Sequence, residues 1–489
     1  GGHYERVGAS SGINARLDYD DHVGSPRLLW PSSGSDCRNC GLYWAKCICT
    51  TYMKRGFRTR SLHAGTAPDP ATGAHATPIH QTTSYVFEDA DTAADRYALR
   101  DDGDVYSRVS NPTVRTLEDR LAALEGGSGA VATSSGMAAF DAAVTVLAQA
   151  GDSVVASAEM YGGTATYLET IASRRGVETR LVDTTDYAAY AEAIDETTAF
   201  VHVETLANPS LVTPDLERVA DIAHDHAVPL FVDNTFATPA LCRPVEHGAD
   251  IVWESTTKWI SGNGTTVGGI LVDGGTFPWD HPEAEYAELS GESPAFPVDF
   301  VDRFGEAAFA NVARQRGVRH TGGQQSPFDA WQTLRGVETL PLRMNRHCET
   351  ARSVAEFLRA DDRVDWVTYP GFDSHPTHEN ARRYLDDYGG MITVGLAGGY
   401  EAAKTLCESV ELASFLANVG DAKTLVIHPA STTHAQLDEP AQRAAGVTPD
   451  MVRLSVGIEA ADDVVDDLDA ALETAAATAA SEPQRDGGA

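Results

Sequence analysis

Lys258 stands in the run ESTTKWISGNGTTVGG, residues 254–269, among hydroxyl residues and glycines. The chain of 489 residues uses only five lysines, Lys46, Lys54, Lys258, Lys404 and Lys423, and leaves nearly all other positive charge to arginine. A lysine set between apolar strands can lose part of its amine pKa to desolvation and become nucleophilic. Ser255 and Thr257 flank it at alternating positions, and on a strand end such hydroxyls point one way and can donate to a phosphate. Asp233 closes the apolar run PLFVDN, where a carboxylate is costly unless it meets a cation or donors. Ser134, Ser135, Gly136 and Met137 lead from a predicted strand into a predicted helix, whose free N–H groups and positive end suit a phosphate. Each feature alone has a plainer reading: a surface-loop lysine, a turn or cap aspartate, a serine N-cap. Together they describe one ligand, with a phosphate at one end, a ring that needs an acidic partner and an aldehyde that a lysine can hold as an imine. That ligand is pyridoxal phosphate (PLP).

The elements that must position these groups alternate from about residue 127. GAVATS, SVVAS, VETRLVD, TAFVHVET, VPLFVDN, ADIVWES and GGILVDG read as strands. Between them SGMAAFDAAVTVLAQAG (a helix ending at Gly151), TATYLETIASRRG, DYAAYAEAIDE and DLERVADIAHDHA read as helices. Strands this apolar, separated by helices, predict an α/β fold with a mainly parallel sheet covered on both faces. In such sheets ligands gather beyond the carboxyl ends of the strands, where all three features fall. Residues 320–360 are helical in period with Pro341 as an internal kink or break, and the shorter units after them predict a smaller α+β domain. The expected division is an extension over 1–56, an arm over 57–118, a large domain over 119–315, a small domain over 316–480 and a polar tail over 481–489.

The formal net charge of -34 makes nucleic acid and anionic membranes poor partners. With so little lysine, it predicts a protein that stays soluble in high salt. Residues 1–52 are neutral, so the whole acid excess lies beyond them, and no methionine precedes Met53. That first stretch reads as a disordered extension, or as sequence upstream of a natural start at Met53. Its Cys37, Cys40, Cys47 and Cys49 could hold zinc, but the inner spacing is short. Cys242, Cys348 and Cys407 are scattered, as in a reduced cytoplasmic protein. No apolar run is long enough to span a membrane.

From about Arg58 to Ala475 the chain resembles the Cys/Met metabolism family of PLP-dependent enzymes. The resemblance is carried, in order, by TPIHQTTSYVF, YSRVSNPT, SSGMAA, EMYGGT, ETLANPS, VDNTFATP, ESTTKWISGNGTTVGG, NVGDAKTLVIHPASTTH and VRLSVGIE. It implies the aspartate aminotransferase-like fold (fold type I), with PLP linked to Lys258, which also moves substrate protons. By position it implies that Asp233 pairs with the pyridine nitrogen and that Tyr161 stacks on the ring and helps proton transfer. It further implies that Gly136, Met137, Ser255 and Thr257 hold the phosphate, and that Asn208 and Thr235 border the ring. Tyr106 and Arg108 would reach a neighbouring subunit's phosphate, in a homo-oligomer that is a tetramer in this family. Arg453 would clamp the substrate α-carboxylate, with Asn418 close by.

Within the family, Gly163 stands where methionine γ-lyases carry a cysteine, and Asn418 and Lys423 stand where cystathionine-handling enzymes carry serine and glutamate. A lysine there would repel the far ammonium of cystathionine. The run GDAKTLVIHPASTTH and the extra segment near 275–305 resemble the O-acetylhomoserine aminocarboxypropyltransferase branch. The implied reaction is γ-replacement on O-acetylhomoserine by sulfide or methanethiol, giving homocysteine or methionine plus acetate. Cystathionine γ-synthase, cystathionine γ-lyase and methionine γ-lyase chemistry are the alternatives. The extra segment itself is expected either to shape the entrance or to be a solvated insertion.

Overall fold

The computed structural model describes residues 54–481 except 283–285, 287, 292–295, 437 and 445. The cysteines at 37, 40, 47 and 49, with the remainder of 1–53 and the tail from 482, lie outside the described residues. The large sheet contains β1 (Gly129–Thr133), β2 (Ser153–Ser157), β3 (Glu178–Val182), β4 (Thr198–Glu204), β5 (Leu230–Asp233), β6 (Ile251–Glu254) and β7 (Gly269–Asp273). Their order across the sheet is β1-β7-β6-β5-β4-β2-β3. β7 runs antiparallel to both its neighbours, and the remaining pairs are parallel. β2, β4, β5, β6 and β7 are buried along their whole length, as an apolar sheet covered on both faces requires.

Sequence punctuation sets the helices. α1 (Pro112–Glu125) starts at Asn111, whose side chain accepts from Thr113 N–H, and stops at Gly126, which takes the left-handed conformation with φ 85°. α2 (Gly136–Leu147) starts at Ser135 in the same manner, through Ala138 N–H. It ends at Leu147, short of the expected Gly151, because the chain turns extended at Ala148 and Gly151 N–H bonds the Gly176 carbonyl at 2.9 Å. α3 (Leu216–His224) covers the other face, capped by Asp215.

α4 (Pro327–Ala360) runs unbroken through Pro341, so the proline does not break the helix. The helix is tied down on both sides of the proline. A Cβ at Gly336 would lie 2.3 Å from the Ser261 carbonyl oxygen, so the backbones touch. Arg343 donates to the carbonyls of Trp259 (2.6 Å), Ile260 (3.0 Å) and Gly336 (2.8 Å). Those bonds offset the single lost backbone donor. Residues up to Cys348 pack in the core of the large sheet and those from Ala351 in the core of the small one.

The small sheet, β8 (Val364–Thr368), β9 (Met391–Leu396), β10 (Ser414–Phe415), β11 (Leu425–Ile427) and β12 (Met451–Ser455), is ordered β10-β11-β12-β9-β8 and is antiparallel apart from β10 against β11. α5 (Gly399–Ser409) and α6 (Ala461–Ser481) bury Leu406, Leu468 and Leu472 against it.

The segment after β7 is anchored in the core by its aromatic residues. Phe277, Trp279, Tyr286, Leu289, Phe296 and Phe300 are buried in the large-sheet core, and Tyr286 Oη donates to Ala199 O at 2.6 Å. Ala199 lies where β4 begins, at the opposite end of the sheet from Asp233, so Tyr286 anchors the segment far from the entrance, while Asp280, His281, Pro282 and Gly291 are exposed. Among the described residues no helix is long and apolar enough to cross a membrane.

Candidate active site

β6 ends at Glu254, and residues 256–261 form a turn rather than continuing the strand. The expected alternation of Ser255 and Thr257 therefore does not exist. Lys258 sits in this turn, which Arg343 braces through the carbonyls of Trp259 and Ile260. Its Nζ donates to Asn418 Oδ1 at 2.5 Å. Among the described residues no carboxylate pairs with it. Burial, and then the charge of Arg453, lower its pKa to about 8, so the neutral amine is well populated near neutral pH.

Asp233 is the last residue of β5. Its Oδ1 accepts from Thr235 N–H at 2.9 Å, and Thr235 Oγ1 accepts from Ser255 N–H at 2.9 Å. Thr235 thus links the carboxylate at one end of the site to the hydroxyl loop at the other. Burial pushes the Asp233 carboxyl up to about 7 against the lowering effect of Thr235, a cost that a cation beside it would remove.

Gly136 and Met137 open α2, so their N–H groups have no acceptor within the helix. A Cβ at Gly136 would lie 2.8 Å from Ser255 Cβ and 3.2 Å from the Trp253 ring. Only glycine lets the helix start lie against Ser255. Thr257 lies in the turn, where its hydroxyl donates to the Gly268 carbonyl at 3.2 Å and accepts from Gly268 N–H at 3.0 Å. These two bonds tie Thr257 to Gly268 across the turn.

On the far side, Arg453 projects from β12 and donates to Asn208 Oδ1 at 3.3 Å. Burial lowers its pKa to about 10, and among the described residues no carboxylate neutralises it. Tyr161 is 46% exposed, so its ring borders open space. A Cβ at Gly163 would lie 2.3 Å from Tyr161 Cε1, so a side chain there would displace this ring.

One residue of the site has no counterpart among the expected ones. Glu204 ends β4 beside Asp233, is 4% exposed, and accepts from Tyr161 N–H at 2.5 Å and Asn208 N–H at 3.1 Å. It opens the run ETLANPS, but nothing in sequence spacing tells which distant amides meet its oxygens.

Tyr106 and Arg108 do not join this cluster. Tyr106 is 41% exposed, and Arg108 donates to the Arg319 carbonyl with its guanidinium 5.5 Å over the Tyr106 ring. Lys423 also points away: its side chain is 71% exposed, with Asp421 3.8 Å from its amine.

The residues present fit PLP. A buried acid suits the ring nitrogen, a low-pKa amine without an acidic partner suits the aldehyde, and a helix start packed to glycine closeness against a serine suits the phosphate. The comparisons agree. Residues 58–473 match the family described as Cys/Met metabolism PLP-dependent enzyme. A homocysteine synthase of Schizosaccharomyces pombe is 46% identical over 422 residues, covering 86% of this chain and 98% of its own. O-acetyl-L-homoserine sulfhydrylase 1 of Thermus thermophilus is 46% identical over 420 residues, covering 85% and 99%. The crystal structure of a putative O-acetylhomoserine (thiol)-lyase from Campylobacter jejuni, which contains N'-pyridoxyl-lysine-5'-monophosphate, superposes with a TM-score of 0.82 at 35% identity, covering 86% of this chain and 100% of that one.

Proposed function

We propose, from the premise that the chain belongs to the Cys/Met metabolism family of PLP-dependent enzymes, that it replaces the γ-acetoxy group of O-acetyl-L-homoserine with sulfide, giving homocysteine and acetate. The observation that carries this reading is the buried Lys258 amine without an acidic partner, aligned with Asp233 and the start of α2 in a chain whose near relatives bear sulfhydrylase names. Those names disfavour the cystathionine and methionine γ-lyase readings.

PLP, when bound, supplies an aldehyde for an amine and a ring that draws electrons from the bonds at the substrate α-carbon. The Gly136 and Met137 amides and the Ser255 hydroxyl hold its phosphate, and Asp233 holds its ring nitrogen. Arg453 takes the substrate α-carboxylate with both arms of its guanidinium, while one Nη1 proton stays on Asn208 Oδ1 and holds the arm in place. Lys258, partly neutral because it is buried, accepts the Cα proton and then serves the neighbouring Cβ. Acetate leaves Cγ with its bonding electrons, hydrosulfide forms the new C–S bond there, and Lys258 returns the protons. Asn418 Oδ1 accepts a hydrogen bond from the amine and keeps it in reach between transfers.

The finer reading is that methanethiol is a second thiol, giving methionine. Tyr106 and Arg108 lie away from their own Lys258, which supports assigning them to the phosphate of a neighbouring copy in a homo-oligomer, read as a tetramer. The acid excess supports a cytoplasm of high salt. Steady-state rates with O-acetylhomoserine, O-succinylhomoserine and O-acetylserine, each against sulfide and methanethiol, test the reaction. Homocysteine formation fastest from the first donor is expected, and cleavage of cystathionine or methionine at a higher rate would overturn it.

A further inference from the structure

Glu204 belongs to no motif role assigned above, yet it contacts more of the site than any other acid. It ends β4 in register with Asp233 at the end of β5. Its carboxylate is buried, with no cation paired to it among the described residues. Each oxygen has one job: Oε1 accepts from Tyr161 N–H at 2.5 Å, and Oε2 from Asn208 N–H at 3.1 Å. Tyr161 begins the helix Gly162–Tyr167 that follows β2, whereas Asn208 lies in the loop after β4. Asn208 in turn holds Arg453 through its side chain at 3.3 Å.

We propose that Glu204 is a positioning residue of the reaction, a single carboxylate that fastens Tyr161 and Asn208 on either side of the ring site and, through Asn208, sets the arm of Arg453. The proposal rests on the function proposed above. Burial and then the neighbouring Asp233 raise the Glu204 pKa well above the ordinary carboxylate value, against the two amide donors that lower it. The carboxyl group still offers two oxygens in fixed geometry, one to each amide. Glutamine offers one oxygen and turns an NH2 toward the second N–H, so one of the two loops is released. Alanine releases both and leaves two buried donors unpaired.

The test uses full-length protein stripped of PLP, with the wild type, Glu204→Gln and Glu204→Ala. PLP binding is read by quenching of tryptophan fluorescence, and folding by the thermal midpoint of the cofactor-free protein. The expected order of affinity is wild type, then Gln, then Ala, with Gln about tenfold and Ala about a hundredfold weaker. In reloaded protein, KM for O-acetylhomoserine rises in the same order through Arg453. The Gln variant, which keeps the size of the side chain and one of its two acceptors, keeps its midpoint. Variants that bind PLP as tightly as the wild type overturn the proposal, and so do losses that merely follow a falling midpoint in both variants. If the wild type itself binds no PLP, the underlying function fails instead.

Discussion

Replacing Arg453 by lysine tests the substrate site with a sign that ordinary destabilisation cannot imitate. The guanidinium is buried, lowered to about 10, and bonded to Asn208 Oδ1 at 3.3 Å without a carboxylate partner among the described residues. A depression of that size corresponds to ~3 kcal/mol of uncompensated charge, at ~1.4 kcal/mol per pKa unit. The substrate carboxylate would return a similar amount through two parallel hydrogen bonds, which a lysine ammonium cannot form. Arg453→Lys should therefore lower kcat/KM for O-acetylhomoserine by about a hundredfold, expressed mainly in KM, and leave KM for sulfide within about twofold. A lysine in the same buried place can shed its proton, which arginine cannot, so it escapes the desolvation cost and the cofactor-free variant should unfold no earlier than the wild type. Initial rates over a substrate series and a thermal melt supply the readings. A change of less than about threefold in kcat/KM, or a loss of activity that only follows a fall in the melting midpoint, would refute the assignment.

Cofactor uptake by stripped protein should quicken as pH rises, with its midpoint at about 8, since only the neutral Lys258 amine attacks an aldehyde and burial has brought its pKa down; stopped-flow absorbance reads it, and a midpoint at the ordinary lysine value would contradict the buried amine. Gly136→Ala brings a Cβ to 2.8 Å from Ser255 Cβ, and fluorescence titration should show PLP bound about tenfold or more weakly. With a formal charge of -34, the thermal midpoint should rise by several degrees as KCl goes from ~0.1 M to ~2 M, where the screening length shrinks from ~10 Å to a few ångströms; a flat or falling profile would refute the high-salt reading.

Lys258 and Asp233 were legible in sequence because each breaks a local rule, a scarce lysine in a hydroxyl-rich loop and an acid ending an apolar strand. The alternation of strands and helices was legible because strands buried on both faces read as short continuous apolar runs between helical periods. What could not be read depends on distances across the sheet. Glu204 shows its role only where β2, β4 and β5 bring Tyr161, Asn208 and Asp233 together. Ser255 and Thr257 read as alternating strand positions because the strand was extended past Glu254, whereas the chain turns there and Thr257 Oγ1 donates to Gly268 O. Lys423 read as lining the site by its place in a motif, but its loop turns it to solvent. The segment after β7 read as an acidic loop because its charges outweighed its aromatics, and those aromatics are what bury it.

The most direct measurement is the position of the covalent bond to the cofactor. Protein loaded with PLP, reduced with borohydride and digested should yield one phosphopyridoxyl-bearing peptide, modified at Lys258, and Lys258→Ala should yield none and turn over no substrate. A label on Lys54, Lys404 or Lys423, or turnover by Lys258→Ala, would contradict the assignment of this amine as the centre of the chemistry.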